Sequence, residues 1–283
     1  MKHAPLLLIL ILTNLVHGQI KHPQASPLAI VQQEVGLTKL MVHYSRPATQ
    51  GRTIFGDLVP YGRIWRVGAN ASTKFSSTDD VEIMGQVLLR GTYALYAFPE
   101  EDAWQVVFHK NLTHWGDGRT AYDPNEDALR VQVPVERSAT FQENFLISFD
   151  SITHNSAMMI WHWAYTKIKI PLHLDTDAKM QQEIQEQLKQ NPTAQTYYEA
   201  ARFLQEQDRD HAVALSYLNK ALVLGGDTYY FHRVKAMVEA AMEDYGSAIR
   251  SAEKSLELAA KEGKDEFVRM NQKNIDLWKS KRN

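Results

Sequence analysis

One change of rhythm constrains this chain more than any other feature. Up to about Leu172, apolar residues recur at every second position; after Pro171 they recur with the spacing of a helix. In "TKLMVHYS", Leu40, Val42 and Tyr44 share a face, and in "AWQVVFHK" Trp104, Val106 and Phe108 do the same. "ALRVQVPV" repeats the pattern with Leu129, Val131 and Val133, and "ENFLISFD" with Phe145, Ile147 and Phe149. Successive side chains of a strand point to opposite faces, so each run predicts a half-buried strand. Glycine and Asp/Asn clusters such as Gly116-Asp117-Gly118 separate the runs. Many short strands with turns between them predict a mainly antiparallel β-sandwich or barrel. Pro134 interrupts one run, which a strand tolerates at an edge or a bulge.

The second half begins with "LDTDAKMQQEIQEQLKQ", where Asp and Thr precede a helical pattern as caps do. It then repeats itself. "AVALSYLNKALVL" aligns with "GSAIRSAEKSLEL" at an offset of 34 residues, matching Ala214 to Ala248, Lys220 to Lys254 and Leu222 to Leu256. That is the tetratricopeptide period, in which helix pairs stack small against large residues. The helix from about Lys264 to Lys279 would cap the array. The predicted fold class is therefore α+β as two domains: residues 26–172 a β-sandwich or barrel, residues 178–283 a helical, tetratricopeptide-like array. Two repeats and a cap bury little core, so this half is expected to lean on the β half.

Residues 1–18 read as an export signal: basic at Lys2, apolar from Leu6 to Leu12, small at Gly18. The apolar run is too short to span a bilayer. With no cysteine in the chain there is no lipid-attachment thiol, disulfide or thiolate chemistry. A periplasmic or secreted protein is expected, with no membrane span after signal cleavage. The net charge of −2 supplies no basic field, and nucleic acid is not an expected partner.

Against that near-neutral background, four arginines crowd into one turn-rich stretch, "YSRPATQGRTIFGDLVPYGRIWRVGAN". Gly51, Gly56, Gly62 and Gly68 permit positive φ, and Pro60-Tyr61-Gly62 is a turn signal. The segment is predicted to be a long loop leading into "STKFSST", and loops of that length are functional or tightly self-packed. Arg46, Arg52, Arg63 and Arg66 carry planar forks suited to carboxylate, sulfate or phosphate. Tyr44, Tyr61 and Trp65 offer faces for stacking, and Asn70 and Thr73 offer neutral hydrogen bonds. These nine residues are the candidate ligand-binding set. The competing structural reading is that the arginines satisfy loop carbonyls that lack ladder partners.

These same residues carry a family resemblance. The spaced string "YSRP…GR.IFG.LVPYG.IWR.GAN…TK", with "GTYALY" and a later "W….HK", resembles an uncharacterised family of secreted bacterial β-domains. The likeness covers residues 26–172. It implies a β-domain and assigns no substrate, and the spacing departs from the family's around "HKNLTHWGDGRTAYDPNEDALRV".

Elsewhere the signals are thinner. His109 and His114 lie five apart, and His43 and His162 sit on predicted strands. No His-X-His, His-Glu-X-X-His or calcium-loop motif accompanies them, so no metal and no cofactor is expected. In "MMIWHWAYTKIKI", Trp161, Trp163 and Tyr165 are predicted to share one face, with Ile168 and Ile170 on the other. An aromatic strip of that kind packs under a loop or stacks a sugar. No nucleophile motif is present. Three functional readings follow. The chain is a module binding an anionic small molecule or glycan, or an envelope interaction protein whose repeats contact a protein partner; the first two combine. The third is a periplasmic lyase, isomerase or hydrolase pairing Arg with a Tyr or His acid/base.

Overall fold

The structure, a computed structural model, describes residues 22–282 apart from Trp115, Asp117 and Gly118. The expected export signal lies outside the described residues. The chain divides into two compact units between Thr176 and Asp177.

The described residues of the first unit are mainly β. Nine strands run β1 (Leu28–Val35), β2 (Thr38–Ser45), β3 (Thr73–Ser77), β4 (Val81–Ile83), β5 (Gln86–Leu88), β6 (Gly91–Phe98), β7 (Ala103–His109), β8 (Asp127–Asp150) and β9 (Ser156–His173). Every pairing between strands is antiparallel, in the order β1-β2-β3-β6-β7-β8-β9-β4-β5. The long β8 joins the two halves of this sheet: it pairs with β7 as far as Pro134 and with β9 from Val135. Proline cannot donate to a ladder, and here it falls where the strand changes partner. Phe75 and Phe108 from one half share a single core with Trp161 and Ile170 from the other, so the sheet closes over itself as expected of a sandwich or barrel.

The predicted division of β9 into an aromatic and an aliphatic face does not hold. Trp161, Trp163, Ile168 and Ile170 are all buried in the same core, whereas Tyr165 is 49% exposed. Ala164 has φ of 52°, and the pairing with β8 slips on either side of Gln142, its partner. Between these pairs β8 carries four and then three residues against one on β9, and the turned backbone at Ala164 reverses the alternation of β9 beyond it.

The second unit is six helices: α1 (Thr176–Lys189), α2 (Ala194–Glu206), α3 (His211–Val223), α4 (Tyr229–Ala241), α5 (Tyr245–Lys261) and α6 (Asp265–Arg282). Thr193 caps α2 with a reciprocal box to Thr196, satisfying amides that a helix start leaves open. Helices α3 and α5 begin 34 residues apart, and the matched Ala214 and Ala248 are both fully buried. Two apolar clusters hold the unit, one around Ala214, Leu218 and Phe231 and one around Ala248, Ile275 and Trp278.

Candidate functional site

The arginine-rich stretch is the connection between β2 and β3, and its indole anchors it. Trp65 is buried against Phe55, Trp104, Phe145 and Trp163, with the two indoles of Trp65 and Trp163 stacked at 6.0 Å. Its backbone pairs with Ala97 at 2.8 and 2.9 Å, and its Nε1 donates to the Gly68 carbonyl at 3.2 Å. Gly68 sits at φ of 136°, where an added Cβ would stand 2.7 Å from the Ser45 carbonyl oxygen. Only glycine fits that approach. Val67, fully buried, has φ of 57°, a strained setting for a β-branched residue, and its carbonyl accepts from Thr73 Oγ1 at 2.5 Å.

The nine candidate residues divide by what they touch. The buried Tyr44 hydroxyl accepts from the Ile147 amide at 3.0 Å and faces the Ile147 carbonyl at 3.3 Å. Arg46 Nε donates to the Phe145 carbonyl at 2.9 Å. Arg52 donates from Nε to Thr49 O at 2.9 Å and from Nη2 to Ala48 O at 2.8 Å, bracing its own turn. Asn70 Nδ2 donates to Ser26 O and Ser45 Oγ, both at 3.1 Å. Arg63 and Tyr61 are exposed. Partial burial and then the carboxylates of Glu101 and Glu100 push the Tyr61 hydroxyl above its ordinary pKa. Beside the loop, Glu143 accepts from Thr49 Oγ1 and the Gln50 amide, which lowers its carboxyl pKa.

Of the nine, Arg52, Trp65 and Arg66 line one cleft of about 330 Å³. Trp163, Leu58 and Ser26 complete its walls. Among the described residues, its lining holds two arginines and no carboxylate, histidine or tyrosine. Such a cleft combines cationic forks with apolar surface and offers no proton donor or acceptor of catalytic type. No histidine among the described residues lines this cleft. His162 Nε2 is 3.2 Å from the Thr140 carbonyl, and burial, then Lys167, lowers its pKa.

A second polar cluster forms where β7 meets β8. His109, fully buried, ends β7, and its Nδ1 is 3.0 Å from Asp127 Oδ1. The ladder slips here, since Phe108 faces Leu129 but His109 faces Asp127, leaving Ala128 as an extra residue on β8. Asp127 also accepts from the Tyr122 hydroxyl at 2.7 Å and from Arg130 Nη2 at 2.9 Å. Burial, then Asp127, raises the Tyr122 pKa, so this hydroxyl stays a donor. A 3-10 turn over Pro124–Glu126 brings Glu126 Oε2 to 3.4 Å from His109 Nε2. His114 Nδ1 lies 3.4 Å from the Tyr96 hydroxyl, and the two imidazole rings are 5.5 Å apart. The ligand-type atoms of His109, His114 and Glu126 all fall within 4.8 Å of one another. The sequence expectation of no metal site rested on the lack of a linear motif. These three residues come together through strand pairing instead. Glu126, Asp127, Tyr96, Tyr122 and Arg130 were not among the candidates. The signal available in the sequence was the His109/His114 pair followed by the acidic stretch "DPNED".

Fold and sites thus define an antiparallel β-domain with a tryptophan-walled arginine cleft and a separate histidine–carboxylate cluster, followed by an α-helical unit. Residues 26–172 match the family described as protein of unknown function (DUF2911), and the chain belongs to that family. No curated protein and no solved structure matches the chain.

Proposed function

We propose that this is an exported cell-envelope binding protein whose β-domain holds a small anionic ligand in the Arg52/Arg66 cleft. The observation that carries the reading is the composition of the lining: two arginines, two indoles and no acidic residue. A carboxylated, sulfated or phosphorylated molecule with an apolar body would pair its anion with a guanidinium and lay its body on the indole wall. The strained Val67 beside Arg66 supports it, because backbone strain is concentrated where geometry serves a ligand. The enzyme reading needs an acid or base aimed into the cleft; Glu143, the carboxylate beside Arg52, is engaged by Thr49 Oγ1 and the Gln50 amide and is not a lining residue. The export reading rests on residues 1–18. The helical unit is read as tetratricopeptide-like from its 34-residue recurrence, a class of array that presents a concave surface to a protein partner.

The test is a panel of uronates, sulfated sugars and phosphates titrated against the wild type and Arg66→Lys. Lysine keeps the charge and loses the fork. An anion that raises the wild-type melting temperature is expected to bind the variant weaker by about 1.5–3 kcal/mol, the scale of a charge-assisted hydrogen bond. A panel in which nothing shifts the wild-type melt, with a variant that is merely destabilised, sinks the proposal.

A further inference from the structure

We propose that His109, His114 and Glu126 are the ligands of a divalent transition-metal ion of the zinc class, with Asp127 holding His109 in the coordinating tautomer. The argument starts at His109. Asp127 is a carboxylate accepting from Tyr122 and Arg130, so the 3.0 Å contact to His109 Nδ1 requires the proton on that nitrogen. In the neutral imidazole, Nε2 then carries the lone pair. That atom is fully buried and has no hydrogen-bond partner. A buried acceptor left unpaired is costly and asks for an explanation. Histidine ligands of metals show this same arrangement, one nitrogen bonded to a carboxylate and the other on the ion.

The separations fit. Two donors each about 2.1 Å from a tetrahedral ion stand roughly 3.4 Å apart. His109 Nε2 and Glu126 Oε2 are 3.4 Å apart. The full set lies within 4.8 Å, so an ion would draw the third ligand in by up to about 1.4 Å. His114 is placed to comply, since it sits on the loop after β7 while His109 is fixed in the sheet. Two imidazoles and a carboxylate suit zinc or a neighbouring first-row ion rather than calcium or magnesium, which take all-oxygen sets. Three protein ligands leave a fourth position for water or a ligand atom. Glu126 Oε2 also accepts from Asn111 Nδ2 at 3.3 Å, which steadies the carboxylate.

The rival account needs no ion. A doubly protonated His109 would bridge Asp127 and Glu126 as an imidazolium. That account gives His114 no part, and the variants exploit the difference. The mature chain, stripped with chelator and dialysed against zinc or cobalt(II), is expected to retain one ion per molecule. Cobalt should show the visible absorption of a low-symmetry nitrogen–oxygen site, and zinc should raise the melting temperature. His114→Ala and Glu126→Gln change partly exposed side chains and should fold, which the apo melts check. Each should weaken zinc binding by more than the roughly 10–100-fold that losing an orienting partner costs. A folded wild type that takes up less than one ion overturns the proposal. So does binding that survives both variants unchanged.

Discussion

Truncating Trp65 tests what holds the arginine loop to the domain. The indole is 5% exposed and touches four aromatic rings, and its Nε1 bonds the Gly68 carbonyl at the strained turn. Replacing a buried tryptophan by alanine costs about 3–5 kcal/mol in lost burial and residual cavity. Trp65→Phe keeps most of the apolar surface and loses the Gly68 bond, a cost of about 1–3 kcal/mol. For a unit of this size each kcal/mol moves the melting temperature by about 2–4 °C, so the alanine variant should melt roughly 6–20 °C lower. The assay is urea unfolding followed by near-UV circular dichroism, which reports the stacked indoles. Because the chain has two units, a second probe is needed to separate them. Hydrogen exchange at the Ala97 amide, which donates to the Trp65 carbonyl, serves this purpose and should accelerate in Trp65→Ala. A loss below about 1 kcal/mol, with exchange at Ala97 unchanged, would refute the view that the indole pins the loop.

Tyr44→Phe should lower stability by about 1–3 kcal/mol, since it leaves the buried Ile147 amide without its acceptor; an unchanged urea midpoint would contradict this. His162 gives a pH dependence of defined sign. Burial holds its folded pKa below the ordinary 6.5, so below that pH the unfolded chain binds the proton first. Its contribution is complete above about pH 6.5 and is lost as the pH falls towards the lower folded value. Urea midpoints at pH 7 and pH 5 should therefore diverge more in the wild type than in His162→Gln, and equal slopes would remove His162 as the cause.

The division into strands and helices was legible because each period is written locally, residue by residue. What escaped was written by residues far apart. Nothing in "WHWAYTKIKI" marks Ala164 for positive φ, so the alternation could not be followed past it, and Trp163 and Ile168 came out on opposite faces. The loop was legible from its glycines and prolines. The partners of its arginines were not, since Arg46 bonds the Phe145 carbonyl, 99 residues away. The same holds for the histidine cluster. His109 and His114 were visible as a pair, but Glu126 joins them only because Lys110 N bonds Glu126 O across the hairpin.

Three of the four arginines, Arg46, Arg52 and Arg66, therefore answer to two demands, while Arg63 is exposed. A connection this long, packed over the core, must satisfy carbonyls that no ladder reaches. Arg46 and Arg52 do so with bonds to Phe145, Thr49 and Ala48. The Arg52–Ala48 bond joins two residues that line the cleft, and Phe145, which accepts from Arg46, packs against the lining indoles of Trp65 and Trp163. Loss of Arg46 should consequently disturb the cleft without Arg46 lining it. Scaffold and binding surface are one segment here, and only variants that separate folding from ligand affinity can assign a given arginine to one or the other.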